Sequence, residues 1–137
     1  MPNLATLQVT AECLPDGSFD VSQFPKLHTL GIYTRDVDKP LTADHLTRIT
    51  RFRQIEKLMF LSLSNIDLPA LSELSKLDHL TSIFFDWIPL TDEGLACLVD
   101  FPSLKRLTLL HTQITPTGLA KFRAVRPEIM VESDLEK

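Results

Sequence analysis

Apolar residues return along the chain in one order: L-x-x-L-x-L, a polar stretch, then apolar positions at every third residue. The first part reads Leu4, Leu7, Val9; Leu27, Leu30, Ile32; Ile55, Leu58, Phe60; Leu80, Ile83, Phe85; and Leu104, Leu107, Leu109, fading to Ile129 and Val131. Its x-L-x-L-x centre alternates with period two, as a strand with one buried face must, so each copy predicts one short strand. The second part reads Leu46, Ile49, Phe52; Leu71, Leu74, Leu77; Leu95, Leu98, Phe101; and Leu119, Phe122. That spacing places the apolar side chains on one face of a helix. Thr42, Thr91 and Thr115 stand where an N-cap hydroxyl can satisfy free amides, and Asp67 before Pro69 is expected to do the same. Pro116 falls at the first helical position, where its missing N–H is harmless. Asp92 and Glu93 suit the positive end of their helix dipole. Residues 11–22, with Pro15, Asp16 and Gly17, read instead as turns or a short 3₁₀ stretch.

A short junction fixes the phase. Met1-Pro-Asn-Leu4, Phe24-Pro-Lys-Leu27, Phe52-Arg-Gln-Ile55, Leu77-Asp-His-Leu80, Phe101-Pro-Ser-Leu104 and Arg126-Pro-Glu-Ile129 are six copies of it, with steps of 23 to 28 residues. The expected organisation is one domain over 1–137, with repeats starting near 4, 27, 55, 80 and 104 and a partial repeat or cap from 126. In the third repeat a rival phase through Leu61, Leu63 and Leu68 also fits. The Ile55 phase is preferred because it keeps the junction of its neighbours, and a one-residue slip would exchange the faces of the strand.

These units resemble the leucine-rich repeat family, specifically its ribonuclease-inhibitor-like and cysteine-containing type. Leu80 to Phe101 and Leu104 to Phe122 carry the match best, including Thr91-Asp92-Glu93-Gly94-Leu95. The resemblance implies an α/β solenoid: a curved parallel sheet of about six short strands on the concave side, with helices on the convex side. One departure stands out. Where the family ties adjacent loops with Asn, Cys or Thr, this chain has Glu12, Arg35, Leu63, Ile88 and Thr112, so only Thr112 fits.

The resemblance also implies which side chains face a partner. Strand positions between the buried leucines line the concave surface, and Tyr33, Met59, Leu61, Phe84 and Leu110 there are more apolar than a solvated face needs. Trp87 and His111 follow on the same rim, beside Asp86. Clustered aromatics and Met are the composition of a binding hot spot, so these eight residues are the candidate partner-binding site. The alternative is a slipped register in which some of them are core.

The remaining chemistry narrows the function. His28, His45, His79 and His111 fall at different phases of their repeats, and no H-E-x-x-H, C-x-x-C, G-x-S-x-G or P-loop spacing occurs, so neither a metal, a cofactor nor an enzyme is expected. Asp86 beside Trp87, and His111 near Thr112, are the only general-base candidates. Cys13 and Cys97 belong to the first and fourth repeats, at least three strand spacings or roughly 14 Å apart, too far for a disulfide. Two reduced thiols suit an intracellular chain. Arg48, Arg51, Arg53 and Lys57, and again Lys121, Arg123 and Arg126, offer either a site for acidic partners or, the preferred reading, solvated faces near helix C-termini.

With 14 basic and 18 acidic residues the formal charge is −4, which attracts neither nucleic acid nor anionic membranes. No apolar run reaches the ~20 residues of a membrane span and no leader-like segment opens the chain, so a cytoplasmic location is expected. The function expected is non-catalytic: a protein-protein interaction module with a protein partner on its concave face. The alternative is a structural fragment of a larger repeat protein that associates, as a homo-oligomer, through an uncapped N-terminal edge at Leu4 to Val9.

Overall fold

The computed structural model describes residues 5–10, 26–33, 43–62 and 69–134. Within them lie six strands: β1 (Thr6–Thr10), β2 (Thr29–Tyr33), β3 (Lys57–Leu61), β4 (Ser82–Asp86), β5 (Arg106–Leu110) and β6 (Met130–Ser133). They form one sheet in chain order, and every neighbouring pair is parallel. Parallel neighbours require a crossover between them. From β2 onward each crossover carries helix: α1 (Ala43–Ile49), a 3₁₀ helix (Pro69–Lys76), α2 (Asp92–Ala96) continuing as a 3₁₀ turn (Cys97–Asp100), and α3 (Pro116–Val125).

The register aligns equivalent residues without slippage. Leu30, Leu58, Ile83 and Leu107 stand opposite one another, as do Ile32, Phe60, Phe85 and Leu109, and all eight are fully buried. Phe60 and Phe85 stack with ring centroids 5.3 Å apart. The helical face supplies the other wall of the core, with Leu46, Ile49, Leu71, Leu74, Leu95, Leu98, Leu119 and Phe122 buried. Junction residues Phe52, Leu77 and Phe101 close it below. No repeat buries its own apolar face; each is covered by the next. With Ile55, Leu58 and Phe60 buried and Leu61 only half-buried, the third repeat follows the Ile55 phase.

A repeated hydrogen bond marks each strand start. The carbonyls of Ala5, His28, Glu56 and Thr81 each accept two successive amides of the following repeat, for example Glu56 and Lys57 on His28 at 2.8 and 2.9 Å. The chain thus folds as an α/β leucine-rich repeat solenoid.

Two details differ from the sequence expectation. The third-repeat helix is 3₁₀, a form in which side chains three residues apart stand in line, so Leu71 and Leu74 both face the core. Thr91 occupies an N-cap position in extended conformation, yet its hydroxyl makes no capping bond. Thr115 does cap, accepting from the Gly118 amide at 3.1 Å, with Pro116 beginning α3. Thr42, Asp67, the 11–22 stretch and Cys13 lie outside the described residues.

Asp92 explains the Thr-Asp-x-Gly pattern physically. Its carboxylate accepts from the Thr115 amide at 2.8 Å and from the Thr115 hydroxyl, tying one helix start to the next. These bonds, the hydroxyl's first, hold the Asp92 carboxyl below the ordinary carboxylate range. A Cβ on Gly118 would lie 2.1 Å from that carboxyl carbon, so only glycine admits the tie.

Candidate functional site

Opposite the helices, the open face of the sheet presents three rows. The first runs Thr6, Thr29, Lys57, Ser82, Arg106, Met130; the second Gln8, Gly31, Met59, Phe84, Thr108, Glu132; the third contains Tyr33, Leu61, Asp86 and Leu110. All six strand-borne candidates are therefore in adjacent rows: Met59 beside Phe84, and Tyr33, Leu61, Asp86 and Leu110 in line. Each is half-buried. Gly31 is buried, because a Cβ there would meet the Gln8 side chain at 2.9 Å; the open surface is centred on β3 to β5.

The turn after each strand carries the remaining candidates. Ser62, Trp87 and His111 occupy equivalent positions with φ of 54°, 57° and 52°, in the left-handed region. For a bulky residue that conformation is unfavourable by about 1–2 kcal/mol. Sequential amides hold the turns together: Ser62 donates to the Asp86 carbonyl at 2.9 Å and Trp87 to the Leu110 carbonyl at 3.1 Å. His111 continues the series differently. Its amide donates to the Asp134 carboxylate at 2.8 Å, a side chain taking the place of the next carbonyl.

Trp87 and His111 meet face to face, with centroids 4.0 Å apart and planes inclined by 5°. His111 Nδ1 lies 3.0 Å from Asp86 Oδ1, which fixes the imidazole beneath the indole. Trp87 remains 60% exposed. The arrangement is an aromatic platform whose imidazole is held at its edge by Asp86 and whose indole is left largely open to solvent.

Toward the strand starts, on the same open face, a cavity of about 440 Å³ is lined by Lys57, Ser82, Phe84, Arg106, Leu110 and Glu132. Arg106 and Glu132 approach only loosely, at 4.0 Å.

The basic residues of the C-terminal repeats are not all solvated. Arg126 is 17% exposed; its guanidinium donates to the carbonyls of Val99 and Phe101 and pairs with Glu128. It stands in the sixth junction where Phe52 and Phe101 stand in theirs, a signal visible in the alignment of junctions. Arg123 donates to the Val131 carbonyl at 3.2 Å, and Arg48 pairs with Asp44 at 2.7 Å. Sequence reasoning places Asp134 among the charges that blunt the C-terminal edge and Gln8 on the open face, but not their contacts with the His111 amide and over Gly31, since each partner lies about one repeat away.

Cys97 is a free thiol, half-buried, donating to the Glu93 carbonyl at 3.6 Å. Burial first, then the carboxylates of Glu93 and Asp100, push its pKa up. Among the described residues no group of His, Cys, Asp and Glu is placed to hold a metal, and no helix is long and apolar enough to cross a membrane.

No protein-family model matches the chain, and no curated protein sequence matches it. Among solved structures it is similar to an internalin (inlF) from Listeria monocytogenes str. 4b F2365, at 16% identity and a TM-score of 0.37. The alignment covers 97% of this chain and 48% of the internalin, so the chain spans about half the length of that protein.

Proposed function

We propose that this chain is a non-catalytic protein-binding module that takes its partner on the open, concave face of the sheet. Tyr33, Met59, Leu61, Phe84, Asp86, Trp87, Leu110 and His111 form the contact surface. The observation that carries this reading is Trp87: a large aromatic, 60% exposed, in a left-handed turn that glycine or asparagine would occupy more easily. Stability alone does not account for its presence there. An exposed aromatic already fixed by stacking loses little entropy on binding, which is what a hot spot requires.

An acid-base role for Asp86 and His111 is the competing chemistry. Against it, the pair sits on an open rim with the imidazole covered by Trp87, where water is not excluded. We assign the repeats, starting near 4, 27, 55, 80 and 104, to the ribonuclease-inhibitor-like type. The Asp92–Thr115 tie and the close approach at Gly118 give its Thr-Asp-x-Gly signature a structural task. The unpaired Cys97 thiol favours the cytoplasm. Self-association through β1, the end of the strand order, is the second reading, and a mass that rises with concentration in sedimentation would favour it.

The test is selection of protein binders on the purified chain, followed by titration against Phe84→Ser and Trp87→Asn. Binding weakened at least about tenfold in both, with folding intact, supports the proposal. Binders indifferent to both substitutions overturn it.

A further inference from the structure

Charges of opposite sign stand at the two ends of the open face, Lys57 and Arg106 at one and Asp86 at the other. Along the first row Lys57 and Arg106 flank Ser82, one strand to either side, so their Cα atoms are about 10 Å apart and both long side chains border the same cavity. The small serine between them leaves room over the sheet. Lys57 has no ion pair among the described residues, and Arg106 has only the loose contact with Glu132. At the other end of the strands stands Asp86, four residues or about 13 Å from Ser82 along β4, beyond the distance at which it neutralises the basic end at physiological salt. Between the two ends lies Phe84, and Leu110 stands level with Asp86; both are half-buried on the wall of the same cavity.

We propose that the cavity receives an acidic side chain of a protein partner, an Asp or Glu set beside a bulky apolar residue. The carboxylate pairs with Lys57 and Arg106, the arginine offering a planar fork that matches it, and the apolar neighbour seats on Phe84 and Leu110. Glu132 is then a competitor: it occupies Arg106 loosely in the free chain and repels the incoming acid. This inference rests on the open-face binding reading, and its test separates the two.

The experiment is a peptide-display selection on the intact chain, with affinities of the recovered peptides measured by fluorescence polarisation at low and high salt. Recovered peptides carry an Asp or Glu next to an aromatic or aliphatic residue. Changing that acid to Asn or Gln, or introducing Lys57→Ser with Arg106→Ser, weakens binding about tenfold or more, and added salt weakens it further. Glu132→Gln tightens binding, an outcome that a misfolded variant cannot produce. Peptides without an acid, or acidic peptides indifferent to Lys57, Arg106 and Glu132, overturn the inference. If such peptides still lose affinity with Phe84→Ser, the open-face reading stands and only the acidic partner fails; if they do not, both fail. A selection that recovers no acidic peptide also overturns it.

Discussion

The Asp92 carboxylate sits where a side chain on Gly118 would have to be, 2.1 Å from the ideal Cβ position, and spends its oxygens on the amide and hydroxyl of Thr115. Glycine in a helix interior is ordinarily unfavourable relative to alanine by about 0.5–1 kcal/mol. Here the sign reverses. Gly118→Ala must displace Asp92 and break its bonds to Thr115, so the variant is expected to melt at a lower temperature. In an Asp92→Ala background the obstacle is gone, and the same glycine substitution is expected to raise the melting temperature. Thermal unfolding of the four chains of this cycle checks it, and a glycine substitution with one sign in both backgrounds rules out the tie.

The same contact carries a pH signature. Asp92 has a depressed pKa in the folded chain, chiefly from the Thr115 hydroxyl bond. Its contribution is therefore complete above the ordinary aspartate range and is lost as pH falls through the depressed value. The melting-temperature gap between the natural chain and Asp92→Asn is expected to be constant near neutrality and to shrink in acid. A gap that widens on acidification contradicts the assignment.

Trp87 poses the opposite balance. Its left-handed backbone is unfavourable by about 1–2 kcal/mol, while the stack on His111 returns about 0.5–1.5 kcal/mol. Trp87→Gly removes both and is expected to leave the melting temperature within a few degrees, whereas partner affinity falls. A large loss of stability would mean that the indole serves the fold rather than recognition.

Phe84 and Phe85 are sequence neighbours on opposite faces of β4. Phe85→Ala empties a fully buried site stacked on Phe60 and is expected to destabilise by about 3–5 kcal/mol. Phe84→Ser alters a half-buried position on the open face and is expected to change stability by about 1 kcal/mol or less. Denaturant unfolding of the two variants measures both. Equal losses would contradict the assignment of faces.

How much of this was legible in the sequence depends on the range of the interaction. Strand positions such as Leu58 and Phe60, and the third-repeat phase from Ile55, follow from period two and from the junctions, because burial of one strand face is a local pattern. Six of the eight candidate site residues then fall on adjacent rows by register alone. Side chains that bond about 25 residues away were not legible. Asp134 on the His111 amide and Arg126 on the carbonyls of Val99 and Phe101 depend on how repeats stack, which spacing does not encode. The Trp87–His111 stack lies between these cases: both residues were placed on one rim, but their parallel rings follow from two left-handed turns and the hold of Asp86.

Trp87 is the only tryptophan in the chain, so its fluorescence reports on the proposed contact alone. The decisive measurement is acrylamide quenching of that emission during titration with a selected protein binder, with complex formation followed separately by mass. In the free chain the exposed indole is expected to emit at long wavelength and to quench readily. At saturation the emission is expected to shift to shorter wavelength and the quenching to fall. A binder that saturates the chain while Trp87 stays as quenchable as before would contradict recognition through this face.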